Sequence, residues 1–255
     1  MLRFVTDGRP WKRRSCVVAG GLAFLAAVPD VASAADRLGG HTLDVALETD
    51  FPTRVGAGVS WETPGRARMK LGLGVMPGPY VDVTNAAMVG FDIYSDDVGS
   101  IIDSALERTV VLQLQGGYRP LESRGFYVLG GYQFWGLGGS TTELNAFSET
   151  MDANLYQAAQ SVTGDIQVGI ASHMLVGTAG WEWPLENNVV LGASLGFAYT
   201  LAAPSRAAPT RTANNEVEQE VMDGVTASAE DYLTYVFEEW VHLPFVCLSV
   251  GYRFR

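Results

Sequence analysis

The residues with the most chemistry in this chain are eleven charges: Asp44, Glu48, Asp50, Arg54, Glu62, Arg66, Arg68, Lys70, Arg119, Glu182 and Arg253. All of them lie in or at the ends of stretches that alternate apolar and polar residues, and all share the parity of the polar set. A charge taken out of water needs a partner. Five acids against six bases nearly supply one another, provided the polar faces of those stretches enclose a common interior. The spacing therefore predicts a structural ion network. Glu62, Arg66, Arg68, Arg119, Glu182 and Arg253 form its base at one end, and Asp44, Glu48 and Lys70 lie above them. No catalytic, cofactor or metal role is expected of these residues.

Catalysis needs a nucleophile and a base in reach of each other. Ser172, His173 and His242 are the residues from which an esterase or acyltransferase would be assembled, yet no Gly-x-Ser-x-Gly elbow and no metal-ligand spacing accompanies them. Asp96-Asp97 offers a pair of carboxylates for a divalent cation, but without EF-hand spacing. Cys247 stands alone once Cys16 is assigned to a leader, which leaves no disulfide and no thiolate metal site. The chain reads as a non-enzyme with no cofactor.

The elements that must hold these residues are strands. Period-two alternation marks strands at about 41–51, 54–62, 66–76, 109–118, 126–135, 173–183, 189–201 and 244–254. In the third, Ala67, Met69, Leu71, Leu73 and Val75 alternate with Arg66, Arg68, Lys70, Gly72 and Gly74. Thr63-Pro64-Gly65 and Pro184 to Asn188 read as tight turns. Three long insertions interrupt the strands, at 77–108, 137–172 and 202–243. Each carries a pattern of threes and fours that predicts one helix. The apolar sets are Val98, Ile101, Ile102, Ala105; then Leu144, Phe147, Met151, Leu155, Ala158, Val162; then Val217, Val221, Val225, Tyr232, Leu233, Val236, Phe237, Trp240. Their polar faces are acidic, and together the helices would cap one end of whatever the strands form.

Residues 1–34 read as a secretory signal peptide. Lys12, Arg13 and Arg14 precede an apolar run from Cys16 to Val28, and Ala32-Ser33-Ala34 supplies the small residues of a cleavage site. Removing it takes away five bases (Arg3, Arg9, Lys12, Arg13, Arg14) and two acids (Asp7, Asp30), so the formal charge moves from −11 to −14. Such a balance argues against a nucleic-acid partner, because phosphate binding draws on clustered Lys and Arg. Hydrophobic residues nevertheless make up 47% of the chain and charged ones 18%, which is apolar for an acidic soluble protein.

These features agree if the apolar faces meet lipid. Strands of about ten residues suit a tilted crossing of the bilayer. The connections 2/3, 4/5 and 6/7 are short and 3/4, 5/6 and 7/8 are long, the asymmetry of periplasmic turns and outer loops. Trp61, Tyr118, Phe126, Trp181, Trp183, Tyr252 and Phe254 cluster toward one end of the strands and Phe51, Phe134 and Tyr199 toward the other, as two interfacial girdles. The last stretch, P-F-V-C-L-S-V-G-Y-R-F-R, sets Val246, Leu248, Val250, Tyr252 and Phe254 on one face and ends on an aromatic one residue short of the terminus. It resembles the closing strand of bacterial outer-membrane β-barrels. Over about 41–254 the chain is similar to the small eight-stranded barrels of the OmpA, OmpX and OmpW general type.

The expected fold of residues 35–255 is therefore an all-β transmembrane barrel of eight antiparallel up-and-down strands in the outer membrane, with helix-containing outer loops. The resemblance implies outer-membrane lipid and the barrel-insertion machinery as partners. It also implies structural support, surface interaction or passage of small hydrophobic solutes as the task. The favoured expectation is an acidic helical cap for surface binding or envelope maintenance, with a cationic surface partner. The alternative is a small apolar ligand entering beneath the cap. Gly56, Gly58, Gly72, Gly74, Gly192 and Gly196 line the upper half, either leaving space there or relieving curvature and crowding.

Overall fold

The computed structural model describes residues 40–90, 109–121, 125–143 and 165–254. In chain order these form β1 (Thr42–Phe51), β2 (Arg54–Glu62), β3 (Ala67–Val75), α1 (Gly78–Gly90), β4 (Val110–Leu121), β5 (Phe126–Glu143), β6 (Asp165–Pro184), β7 (Val189–Ala202), β8 (Ser205–Pro209), α2 (Glu216–Trp240) and β9 (Leu243–Phe254). Neighbouring strands pair antiparallel in the order β1, β2, β3, β4, β5, β6, β7, β9, and β9 returns to β1. That is a closed barrel of eight strands, with β8 outside the ring. Closure runs from Leu43 opposite Phe254 to Phe51 opposite Val246, so the aromatic-ended last strand seals the first.

The alternation becomes two surfaces. In β3 Arg68, Lys70 and Gly72 are buried, while Met69, Leu71, Leu73 and Val75 are about half exposed. The same holds around the ring, so that Val59, Leu114, Leu175, Leu195, Phe197, Leu248 and Val250 all stand exposed on the outside. One end of the barrel carries the short β2–β3, β4–β5 and β6–β7 connections. The β2–β3 turn is held by Arg66 N–H donating to Thr63 O at 2.8 Å and Ala67 N–H donating to Thr63 Oγ1 at 3.2 Å. Arg66 takes a left-handed backbone there, φ 67°. It therefore belongs to the turn and not to the inward face of β3, where the strand pattern put it.

Six of the eight barrel strands follow their expected bounds within three residues, and two run much farther at the loop end. β5 continues to Glu143 and β6 begins at Asp165, so 137–143 and 165–172 are paired strand rather than insertion. β8 adds a third strand against Ile166–Ile170. The signal was in the sequence, since Ile166, Val168 and Ile170 alternate with Gln167, Gly169 and Ala171. With Gln167, Gly169 and Ala171 on the alternate positions, the stretch lacked the apolar-belt face sought for a membrane-length strand. In the first insertion the structure forms α1 at 78–90, while the helix expected around 98–105 falls outside the described residues. The helix expected over 144–162 does so too.

The third expected helix is α2. Asn215 caps it, its side chain accepting from Glu218 N–H at 2.8 Å. Glu218 pairs with Arg211 and reaches back to Asn214 N–H at 2.6 Å, and these donors hold its carboxyl below the ordinary carboxylate range. Met222, Val225, Ala229, Leu233, Val236 and Phe237 are buried. Val217 and Trp240, expected on the same face, are exposed. The buried face joins Trp135, Ile166, Val168, Met174, Val176 and Phe245 in one apolar cluster at the loop end of the barrel. β8 fastens it: Ser205 Oγ donates to Glu230 O at 2.5 Å, Ala207 N–H to Glu230 Oε1 at 2.7 Å and Ala203 N–H to Glu238 Oε1 at 3.0 Å. Leu233→Ala is expected to cost about 2–5 kcal/mol, read as lost hydrogen-exchange protection in α2 with protection of the barrel strands retained.

Candidate functional site: the charged lumen

Eight strands enclose an interior just wide enough for side chains, and here much of it is filled by ions. Near the turn end Glu182 of β6 accepts from Arg119 at 2.7 Å and Arg253 at 2.6 Å, and also pairs with Arg68. Arg119 makes a second pair with Glu62 at 2.9 Å, and Arg68 lies 3.3 Å from the same carboxylate. Arg253 grips both oxygens of Asp44 at 2.7 Å, the two-pronged geometry that a guanidinium alone provides. The Arg68 guanidinium also stacks 5.0 Å above the Tyr127 ring. Three arginines from β3, β4 and β9 thus share one carboxylate from β6, tying four strands across the lumen.

A second group sits above it. Arg54 Nε donates to Asp50 at 2.8 Å and its Nη2 to Glu48 at 2.6 Å, while Lys70 Nζ reaches the other Glu48 oxygen at 2.9 Å. Arg54 is fully buried. Neutral groups continue the network, with Gln113 Nε2 donating to Gln133 at 3.1 Å and Gln115 Nε2 to Thr178 at 2.8 Å. Between the two groups lies a cavity of about 20 Å³ lined by Asp44, Glu48, Ser60, Arg68, Lys70, Tyr127 and Glu182, room for about one water.

Of the nine residues expected to form the network, Asp44, Glu48, Glu62, Arg68, Lys70, Arg119, Glu182 and Arg253 are brought together, and Arg66 stands in the β2–β3 turn at the end of β3. Asp50 and Arg54, counted among the eleven charges but not placed within the network, belong to it. With Arg66 in the turn, the described lumen holds five acids (Asp44, Glu48, Asp50, Glu62, Glu182) and five bases (Arg54, Arg68, Lys70, Arg119, Arg253). The inward parity of Gln113, Gln115 and Gln133 in otherwise apolar strands was the available sign that polar groups extend the network.

The glycine-lined upper half is not open. A Cβ on Gly72 would sit 2.2 Å from Arg54 Nη1, one on Gly58 2.7 Å from the Glu48 carboxyl, and one on Gly196 2.2 Å from the Phe245 ring. These glycines make room for the side chains that face them. Ser172 and His173, adjacent on β6, point to opposite faces. Ser172 is buried inward, and His173 Nδ1 lies 2.5 Å from Tyr132 OH on the outside. His242 stacks on Tyr199 at 4.2 Å and its Nδ1 accepts from Thr200 N–H at 3.3 Å. A Ser–His pair is therefore not assembled from these residues. Asp96-Asp97 lies outside the described residues. Aromatic pairs ring both ends, Phe126–Trp181 and Tyr252–Phe254 at one, Phe51–Tyr80 and Tyr199–His242 at the other.

Glu48→Gln leaves Arg54 and Lys70 with one anion fewer in a buried site. It is expected to destabilise the barrel by about 3–5 kcal/mol in urea unfolding from lipid, without opening a conductance.

No protein-family model matches the chain. No curated protein matches it either. Among solved structures it is similar to a major outer membrane protein from Thermus thermophilus, at 16% identity over 84% of this chain and 99% of that one, with a TM-score of 0.42. It is also similar to CarO from Acinetobacter baumannii, at 14% identity over 83% of this chain and 96% of that one, with a TM-score of 0.35.

Proposed function

We propose that this chain is a non-enzymatic outer-membrane barrel that does not conduct, and that presents its acidic cap at the cell surface for surface binding or envelope maintenance. One observation carries the reading: a closed barrel whose outer face is an unbroken apolar belt and whose inner face holds balanced charge. An exposed apolar surface of that extent is a liability in water and the required surface in lipid. The inward ions supply the other half of the argument, since a soluble barrel would reverse the two faces.

The cap supports surface presentation. Glu216, Glu220, Asp223, Asp231, Glu238 and Glu239 are exposed on α2, so a cationic partner fits it better than anionic lipid does. Uptake of small apolar molecules through the barrel is the weaker reading, because the upper lumen among the described residues is occupied by Arg54, Trp135, Phe245 and the apolar face of α2.

Two measurements test this. Protein reconstituted in planar bilayers is expected to show no steady conductance, and a large ohmic current would overturn the sealed lumen. Leu71→Arg places a charge on the middle of the belt and is expected to cost about 2–4 kcal/mol of folding into liposomes; an unchanged stability there would remove the lipid from the argument.

A further inference from the structure

Beneath α2, three polar atoms have no partner among the described residues. Thr109 Oγ1, Trp135 Nε1 and Ser172 Oγ are all buried without a hydrogen bond, in residues at most 1% exposed. Trp135 and Ser172 are directly opposed on β5 and β6, so their Cβ atoms lie about 5 Å apart on the inner face. On β4 it is Val111 that pairs with Trp135, and Thr109 lies two residues farther toward the loop end, diagonal to Trp135. Trp135 and Ser172 share one level and Thr109 lies one step above it, on three consecutive strands.

An orphaned buried polar group forfeits its hydration with nothing in return, and three together call for an explanation. Trp135 offers only an N–H donor, and the two hydroxyls can each donate or accept. An oxygen acceptor between Trp135 and Ser172 would satisfy both, with Thr109 one step farther along to take a second bond. Trp135 belongs to an apolar cluster with Val111, Met174, Val176, Ala198, Phe245 and, from α2, Leu233 and Phe237, while Gln113 and Gln133 lie one inward step below it.

We propose that this row is the head-group site for a single-chain amphiphile with a carbonyl or carboxylate head, whose chain replaces part of the α2 face over the apolar walls. The head oxygen accepts from Trp135 Nε1–H and from the hydroxyls of Ser172 and Thr109. α2 is the cover. It is held to β8 and to Ala203 just before it through Ser205, Glu230 and Glu238, and at its C-terminal end to β7 by Thr200 Oγ1 donating to Val241 O at 2.5 Å, a hinge about which the helix can lift. This goes beyond the sealed, surface-presenting barrel and does not require transport.

The test uses full-length protein in lipid nanodiscs, with dodecanoic acid as the probe and dodecane as the chain without a head. Native mass spectrometry is expected to show one bound dodecanoic acid and no dodecane. Trp135→Phe, which removes only the N–H donor, is expected to weaken binding about tenfold, and Ser172→Ala to do the same should the tryptophan variant fold poorly. Hydrogen exchange in α2 is expected to rise on binding while the β5 and β6 amides stay protected. No bound dodecanoic acid, equal binding of dodecane, or unchanged affinity in both variants would each overturn the site. A conducting barrel, by contrast, would count against the sealed lumen alone and leave these outcomes to be read independently.

Discussion

The structure depends on charge neutrality inside a space too small for water to screen it. Each of the ten lumen charges would be costly alone in that interior. They are tolerable because the network is shared: Glu182 serves three arginines, Glu48 serves an arginine and a lysine, and Arg253 holds both oxygens of Asp44. Arginine suits the shared positions because its planar fork reaches two anions at once. Glutamines and a threonine extend the network where charge is no longer needed. The network joins strands far apart in sequence, as when Arg253 of the last strand meets Asp44 of the first, so it also locks the closure made by their backbone pairing.

From that constraint the division of the barrel follows. Toward the turn end the lumen is ionic. Toward the loop end it becomes apolar, with Trp135, Met174, Val176 and Phe245 meeting the buried face of α2. Glycine lines the upper half because Arg54, Glu48 and Phe245 reach over it from the neighbouring strands. Above the ring, β5, β6 and β8 continue as a three-stranded extension that gives α2 a polar seat of Ser205 and the Ala203 and Ala207 amides. The outer face stays apolar throughout the ring, and its aromatic pairs gather at the two ends. These features agree with one solvent outside, hydrocarbon, and no bulk solvent within.

Much of this was legible in the residues. Alternation named the eight barrel strands and the inward side of each, because a side chain's parity on a strand is decided locally and the two faces of this barrel differ sharply in polarity, and spacings of three and four named a helix within 202–243. Where the alternation has polar residues on both sides, as in Gly138 to Thr142, it lost its contrast and the extension of β5 was hidden.

The sequence by itself determined that two surfaces of opposite character exist, that the charges share one of them, and that acids and bases nearly balance. Only the tertiary structure decided which charges meet. Arg66 stands in the β2–β3 turn with a left-handed backbone, a placement invisible to parity. Arg54 enters because the tight β1–β2 connection folds it back onto Asp50 and Glu48. The occupied upper lumen, and the row of Thr109, Trp135 and Ser172 beneath α2, exist only once register aligns three strands and a helix from elsewhere in the chain covers them. Periodicity reports which face a residue takes; register and closure report what it faces.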